Sequence, residues 1–353
     1  MQQRCLLFVM AMLISGSALH AVESERWQPR SGHKMVVFND TLVIAGGMYG
    51  FDKHFFFSDV WSSQDGYAWS RAETHTAGFS RRHLHGFLVF NEALWVLGGQ
   101  GGIYYHDVWR SEDGAAWEEI TSAASWSPRR GMACVVHADR LFLLGGEGLS
   151  GPYNDIWKSA DGEAWESVTA GIRWEPRWEH AAVSFDGMLY ILGGASEIGV
   201  RNDVWRSEDG VSWEQAGTLP EAVKGHTAST FRNAVYISGG MAKNGKPLQQ
   251  VWKSSDGVSW EVVTDNAAWP ARARHATAVY DNRIWLAGGV TAEGDSNDVW
   301  RSRNGANWSP AQPAGCLGQI GCDTQCNATK RYRGISGDML LFGALLSTLL
   351  FYR

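Results

Sequence analysis

The chain has 353 residues, 44% hydrophobic and 19% charged, with a formal net charge of −6. That is the balance of a globular protein with material for a large core, and the absence of a basic stripe argues against nucleic acid as a partner. Nineteen Trp and 41 Gly against only 9 Pro call for many large apolar contacts and many tight turns, which points to an all-β repeat protein.

In chain order, residues 1–21 come first. An early Arg4, an apolar stretch from Cys5 to Ile14 and small residues up to Ala18 or Ala21 fit a secretory signal peptide, the apolar stretch being too short to span a bilayer.

The body, residues 22–314, is periodic. Trp61, Trp109, Trp157, Trp205, Trp252 and Trp300 recur every 47 or 48 residues, and each is followed eight residues later by Trp69, Trp117, Trp165, Trp213, Trp260 or Trp308. A double glycine precedes each pair, beginning at Gly46, Gly98, Gly145, Gly193, Gly239 and Gly288. Thirteen residues before each of these glycines stands His33, His85, Met132, His180, His226 or His275. Unit four resolves into four short runs, "HAAVSF", "MLYILGG", "NDVWRS" and "VSWEQA", separated by glycine and polar turns. Four strands at this period predict a blade of a β-propeller. Cys134 falls alone in a predicted inner strand, as a small buried hydrophobe.

The pattern R-x-x-H, an apolar strand, a double Gly, D-V-W and a later Trp resembles the kelch repeat across residues 30–308. The resemblance implies a six-bladed all-β propeller with four antiparallel strands per blade, the His strand innermost. The phase predicts six complete blades closed by packing, with Trp27 of "WQPR" in the seam between blades six and one. The hairpin "NDVWRSEDGVSW", residues 202–213, also resembles a shortened Asp box, S-x-D-G-x-x-W. A three-residue turn at 208–210 sets Trp205 directly across from Trp213, with Ser207 and Asp209 bonding nearby amides. Asp65, Asp113, Asp161, Asp209 and Asp256 share this position, but the sixth copy is Asn304. Asn suits a turn and cannot serve as a carboxylate base, so the ring of Asp reads as turn chemistry.

Two roles are open for Arg30, Arg82, Arg129, Arg177 and Arg272, which begin the motif. As ligand-binding groups, guanidinium donors suit carboxylates, acidic peptides or anionic sugars; as scaffolding, they bond backbone between blades. Loops after the double glycines differ between units, which is where specificity is expected. Phe55, Phe56, Tyr104 and Tyr105 in loops one and two form a candidate stacking platform or docking patch, or else pack onto blade edges. No catalytic motif or metal-ligand set stands out, and no cofactor or metal is expected.

Residues 315–338 form a polar tail with Cys316, Cys322 and Cys326, of which two are expected to pair. Residues 339–353 carry an apolar run from Met339 to Tyr352 that as a helix reaches only about 21 Å against a ~30 Å hydrocarbon core. It reads as a GPI-attachment signal, a bacterial sorting tail or a hydrophobic anchor. The chain is therefore read as an exported, surface-associated binding protein for a protein or glycan, extracellular or, in a Gram-negative source, periplasmic. The alternative is a sugar-modifying enzyme resembling the kelch-type sialic acid mutarotase, with Arg177, Glu179 and His180 as its candidate catalytic group.

Overall fold

The computed structural model describes residues 26–50, 54–73, 78–168, 171 and 174–311. The leader 1–21, the cysteine tail 315–338 and the apolar run 339–353 lie outside the described residues. Within them every element is a strand, and six four-stranded antiparallel blades follow one another along the chain. Blade one runs Lys34–Phe38, Thr41–Ala45, Val60–Ser63 and Ser70–Arg71. Blade four runs Ala181–Phe185, Met188–Ser196, Gly199–Ser207 and Glu214–Thr218, and blade six ends at Trp308–Pro310. No blade borrows a strand from the other end of the chain, as the phase predicts.

The second strand of each blade explains the composition. In Met188–Ser196 every residue after the first is buried, because both faces of the sheet meet a neighbouring blade. Polar alternation therefore disappears and continuous apolar runs replace it. First and second strands are joined by two-residue turns such as Asn39-Asp40, with φ of 47° and 56°, the left-handed geometry that favours Asn and Asp.

Six apolar clusters fill the six seams between blades. Each of five seams holds one aromatic from the segment before the inner strand, set edge-to-face on the last Trp of the blade it enters: Trp27 on Trp69, Phe79 on Trp117, Trp126 on Trp165, Trp174 on Trp213 and Trp269 on Trp308, at 5.0–6.4 Å between centroids. Such pairs contribute about 0.5–1.5 kcal/mol beyond their buried area. Trp27 packs with Ala278 and Trp285 of blade six and with Met35 and Ile44 of blade one, sealing the ring at the expected place.

The double glycines exist because the inner histidines need their space. A Cβ on Gly288 would lie 2.6 Å from His33 Cε1, and one on Gly46 would lie 2.7 Å from His85 Cε1. The second glycine makes room within its own blade, as a Cβ on Gly289 would lie 2.7 Å from His275 Cβ. Each ring residue thus lodges between its own blade and the one before it.

One residue ahead of this layer, the backbone itself closes a circle. Leu84 N–H donates to Gly32 C=O, Gly131 to Leu84, Glu179 to Gly131, Gly225 to Glu179, Arg274 to Gly225 and Gly32 to Arg274, all at 2.7–2.8 Å. All six residues have φ between 50° and 64°. Glycine alternates with Leu84, Glu179 and Arg274 around this annulus, and the larger three lean over their glycine neighbours: a Cβ on Gly225 would meet Glu179 Oε2 at 2.9 Å and Arg274 Cγ at 3.3 Å.

The hairpin register differs from the expected one. Trp205 pairs with Gln215 and Arg206 with Glu214, so Trp213 does not face Trp205 directly. Gly210 N–H donates to Ser207 Oγ at 2.9 Å, and the amides of Val211 and Ser212 both donate to Asp209 Oδ1 at 2.8 Å. These bonds keep the chain turning through residue 212, and pairing resumes only at Glu214. The offset of two preserves the face, so Trp205 and Trp213 pack in the same seam. The Asp serves the turn in each copy, and Asn304 does the same work with Ala306 and Asn307.

Gly288→Ala tests the closure. It combines left-handed strain of roughly 1–2 kcal/mol with collision against His33, whereas Gly187→Ala has similar φ and nothing within 4 Å. Thermal unfolding should show the first variant melting well below the second; equal melting would remove the close-approach argument.

Candidate functional site

All five arginines that begin the repeat have side-chain exposure of 0%. Each grips the aspartate of its own blade's D-x-W segment with two parallel bonds of 2.5–2.9 Å: Arg30 with Asp59, Arg82 with Asp107, Arg129 with Asp155, Arg177 with Asp203 and Arg272 with Asp298. A further bond from each Nη1 reaches the carbonyl of the first glycine, at 2.8–2.9 Å. The same aspartate accepts from the indole N–H of the Trp two residues on, as Asp203 does from Trp205 at 2.7 Å. Of the two roles open for the arginines, this geometry supports scaffolding, because their donors are committed and no face is left for a ligand. Burial pushes the carboxyls of Asp59, Asp203 and Asp298 up, but the hydrogen bonds and charge of their arginines outweigh it and hold them below the usual carboxylate range.

Blade five lacks both halves of this clamp. Val223 stands at the arginine position and Gln250 at the aspartate position, and Val223 is fully buried in the seam with Leu219 and Leu192. The paired loss was available in the sequence and identifies the arginine's partner without a structure.

The aromatic loops divide by position. Phe57 and Tyr105 lie over the guanidinium groups of Arg30 and Arg82, at 4.0 and 4.3 Å, as Tyr153 does over Arg129. Tyr105 is therefore largely a cap on the clamp. Phe56 is half-buried against His83, and Tyr104 lies 5.7 Å from the guanidinium of Arg130 in the next blade. Phe55 stays 47% exposed. The largest exposed apolar side chains include three that sequence reasoning passed over: Ile103, Leu149 and Ile198, at 65%, 90% and 71%. With Tyr49 and Phe55 they sit in the loops between second and third strands of blades one to four. The corresponding tips of blades five and six carry Lys243, Asn244, Ala292 and Glu293 instead. A lone apolar residue at a two-residue turn has no periodic signature, so only its contrast with the usual polar turn marks it.

Behind these loops lies the axial floor. Glu179 is buried and makes two bonds to Arg274, at 2.8 and 2.9 Å. Burial pushes its carboxyl up, and the charge of Arg274 together with its hydrogen bonds, Lys224 and Arg130 brings it below its usual value. The cavity beneath is only about 40 Å³ and is lined by Lys34, Glu179, Arg274 and the ring histidines His33, His180, His226 and His275, the scale of a few waters. The histidines are neutral here: burial takes His33 to about 3 and His226 to about 4, and His180 well below its usual value. Arg177, Glu179 and His180 thus serve three separate structures, namely the clamp, the annulus and the glycine-packed ring. Among the described residues no cluster of His, Cys, Asp and Glu could hold a metal. Cys134 is free, and burial pushes its thiol up to about 12.

A family model described as the KLHDC2/KLHL20/DRC7 Kelch-repeats domain matches residues 15–146 and 179–318, most of the chain. No individually curated protein matches it.

Two measurements test the energetics. Arg177→Val alone strands a buried carboxylate and should cost on the order of 3–5 kcal/mol. Adding Asp203→Gln recreates the blade-five pair and should recover much of that loss in urea unfolding; no recovery would mean the pair is not the clamp. For the histidines the folded value lies below 6.5, so the unfolded chain takes up the proton first. Their stabilisation is complete above 6.5 and drains away as pH falls towards about 4. His226→Met, which installs the residue blade three uses, should flatten this slope between pH 6.5 and 5 by on the order of 1 kcal/mol.

Proposed function

The chain belongs to the kelch-repeat family, and we propose that it is a protein-binding module whose partner docks on the face carrying the loops between second and third strands. One observation carries the reading: among the described residues, Tyr49, Phe55, Ile103, Leu149 and Ile198, five of the six exposed large apolar side chains, lie on those loops, and only Val262 lies elsewhere. Exposed apolar side chains gathered on the loops of one face are disfavoured on a free protein and are usual in the core of an interface.

The same residues favour a protein over a glycan. Sugar recognition uses open aromatic faces, whereas Phe57 and Tyr105 are turned onto buried arginines and the most exposed positions are aliphatic. Export and surface association remain part of the proposal, supported by the apolar stretch at 5–14 and the apolar run at 339–352. Under this reading the polar tips of blades five and six form the rim of the contact.

A photo-reactive residue placed at Leu149 or Ile198 should capture one specific protein, and Ile103→Asp should abolish that capture without lowering the melting temperature. The same probe at Val262, on the outermost strand of blade five, should not capture it. Equal capture at both places, or retention after Ile103→Asp, would refute the proposal.

A further inference from the structure

At the end of the axis away from the docking loops, two inner strands break the repeat together. Five residues after the ring residue the other blades carry Phe38, Phe90, Phe185, Phe231 and Tyr280, but blade three carries His137. Four residues after it stand Val37, Val89, Val136, Thr230 and Val279, but blade four carries Ser184. The other blades form with an aromatic and a branched side chain at these places, so the fold requires neither departure.

The two departures meet. Ser184 Oγ lies 2.9 Å from His137 Nδ1, and His137 Nε2 lies 2.8 Å from the carbonyl oxygen of Glu208. A carbonyl only accepts, so Nε2 carries a proton and, in the neutral ring, Nδ1 accepts from the Ser184 hydroxyl. The imidazole is buried and set edge-to-face on Phe142 at 6.0 Å, which holds its orientation. A hydroxyl bonded to an imidazole that a third group orients is the arrangement that activates a serine nucleophile.

Ser184 also lines a chamber of about 310 Å³, with Val135, Val183, Ala228, Thr230 and Val279 among its other walls, and no lining residue is charged. Its backbone contributes too. Phe185 and Met188 close a two-residue turn, and the matching pair in blade five, Phe231 and Ala234, exchanges bonds of 2.8 and 3.1 Å. Bonded and non-bonded pairs alternate along an antiparallel ladder, so the Ser184 N–H points away from its partner strand. Ala181–Phe185 is the inner edge of its blade, so this amide faces the axis, where it can receive the oxygen of an acyl group attacked by Oγ.

We propose that Ser184 and His137 form an acyl-transfer centre that hydrolyses small, uncharged carboxylic esters, which suit an uncharged chamber of this size. Ser184 Oγ adds to the ester carbonyl as its proton passes to His137 Nδ1. The tetrahedral intermediate expels the alkoxide, which takes that proton and leaves as the alcohol. Water then attacks the acyl group on Ser184, giving a proton to His137, and the carboxylic acid departs as the proton returns to Oγ. The Glu208 carbonyl orients the imidazole but brings no negative charge to the imidazolium, so turnover is slow and covalent labelling is the more sensitive readout.

A fluorophosphonate probe, which bonds irreversibly to activated serines, tests this on the whole chain. Peptide mass spectrometry should find it on Ser184 and not on Ser229 or Thr230, and p-nitrophenyl butyrate should be turned over repeatedly. Ser184→Val and His137→Phe install residues that other blades carry at these places, and melting curves verify that both fold. The first should abolish label and turnover, and the second should slow both by about a hundredfold or more, the scale of a lost general base. An unlabelled Ser184, an undiminished rate in His137→Phe, or one nitrophenolate released without turnover would each overturn the site. The labelling result on the unaltered chain stands whether or not a variant folds. The docking face is at the other end of the axis, so the photo-capture result is independent of this one.

Discussion

A propeller must close, and here closure depends on how each inner residue fits against the double glycine of the preceding blade. His33 reaches back to Gly288 and His85 to Gly46, so the last contact in the circle is made by the same parts as the first. Everything further out follows from it. The blades converge closely enough for the annulus of backbone bonds to form, and the seams taper to a width that indoles fill. The cost is accepted in two places. Glycine gives up side-chain packing at twelve positions, and Leu84, Glu179 and Arg274 adopt left-handed backbone.

The arginine clamps act one layer out, and their burial distinguishes them from surface ion pairs. Each guanidinium has a matched carboxylate, a carbonyl and an aromatic ring within about 6 Å, a loop aromatic at 4.0–4.3 Å in three blades and the seam Trp174 or Trp269 at 5.8 and 6.0 Å in the other two. A fully satisfied pair of this kind fixes geometry more than it adds net stability. Blade five shows the alternative solution: Val223 is packed in apolar surroundings, and the blade still forms its four strands. The propeller thus holds both answers to the same packing problem.

Much of this was legible in the amino-acid order. Strand count, blade boundaries and the seam position of Trp27 follow from a period that 19 Trp make hard to miss. The partner of the arginines was equally available, because Val223 and Gln250 depart together, yet that signal joins positions far apart in a unit and is easily overlooked. The hairpin register was not legible, since the bonds of Ser207 and Asp209 lengthen a turn that strand periodicity alone would end sooner. Ile103, Leu149 and Ile198 escaped for a different reason: single residues at tips carry no repeat, and their meaning appears only when neighbouring blades bring them to one face. The alternation of glycine with larger residues in the annulus is likewise visible only in the round.

The annulus has one further electrostatic consequence. Its six amides all point in the same rotational sense, so their dipoles circulate around the axis and cancel along it. The end of a helix, by contrast, stacks its dipoles and presents a pole. The annulus therefore adds no helix-like pole to the axis, and the charges set beside it belong to side chains such as Glu179, Arg274 and Lys34. Exchanging those few residues can change the sign of either mouth while leaving the wheel that carries them untouched.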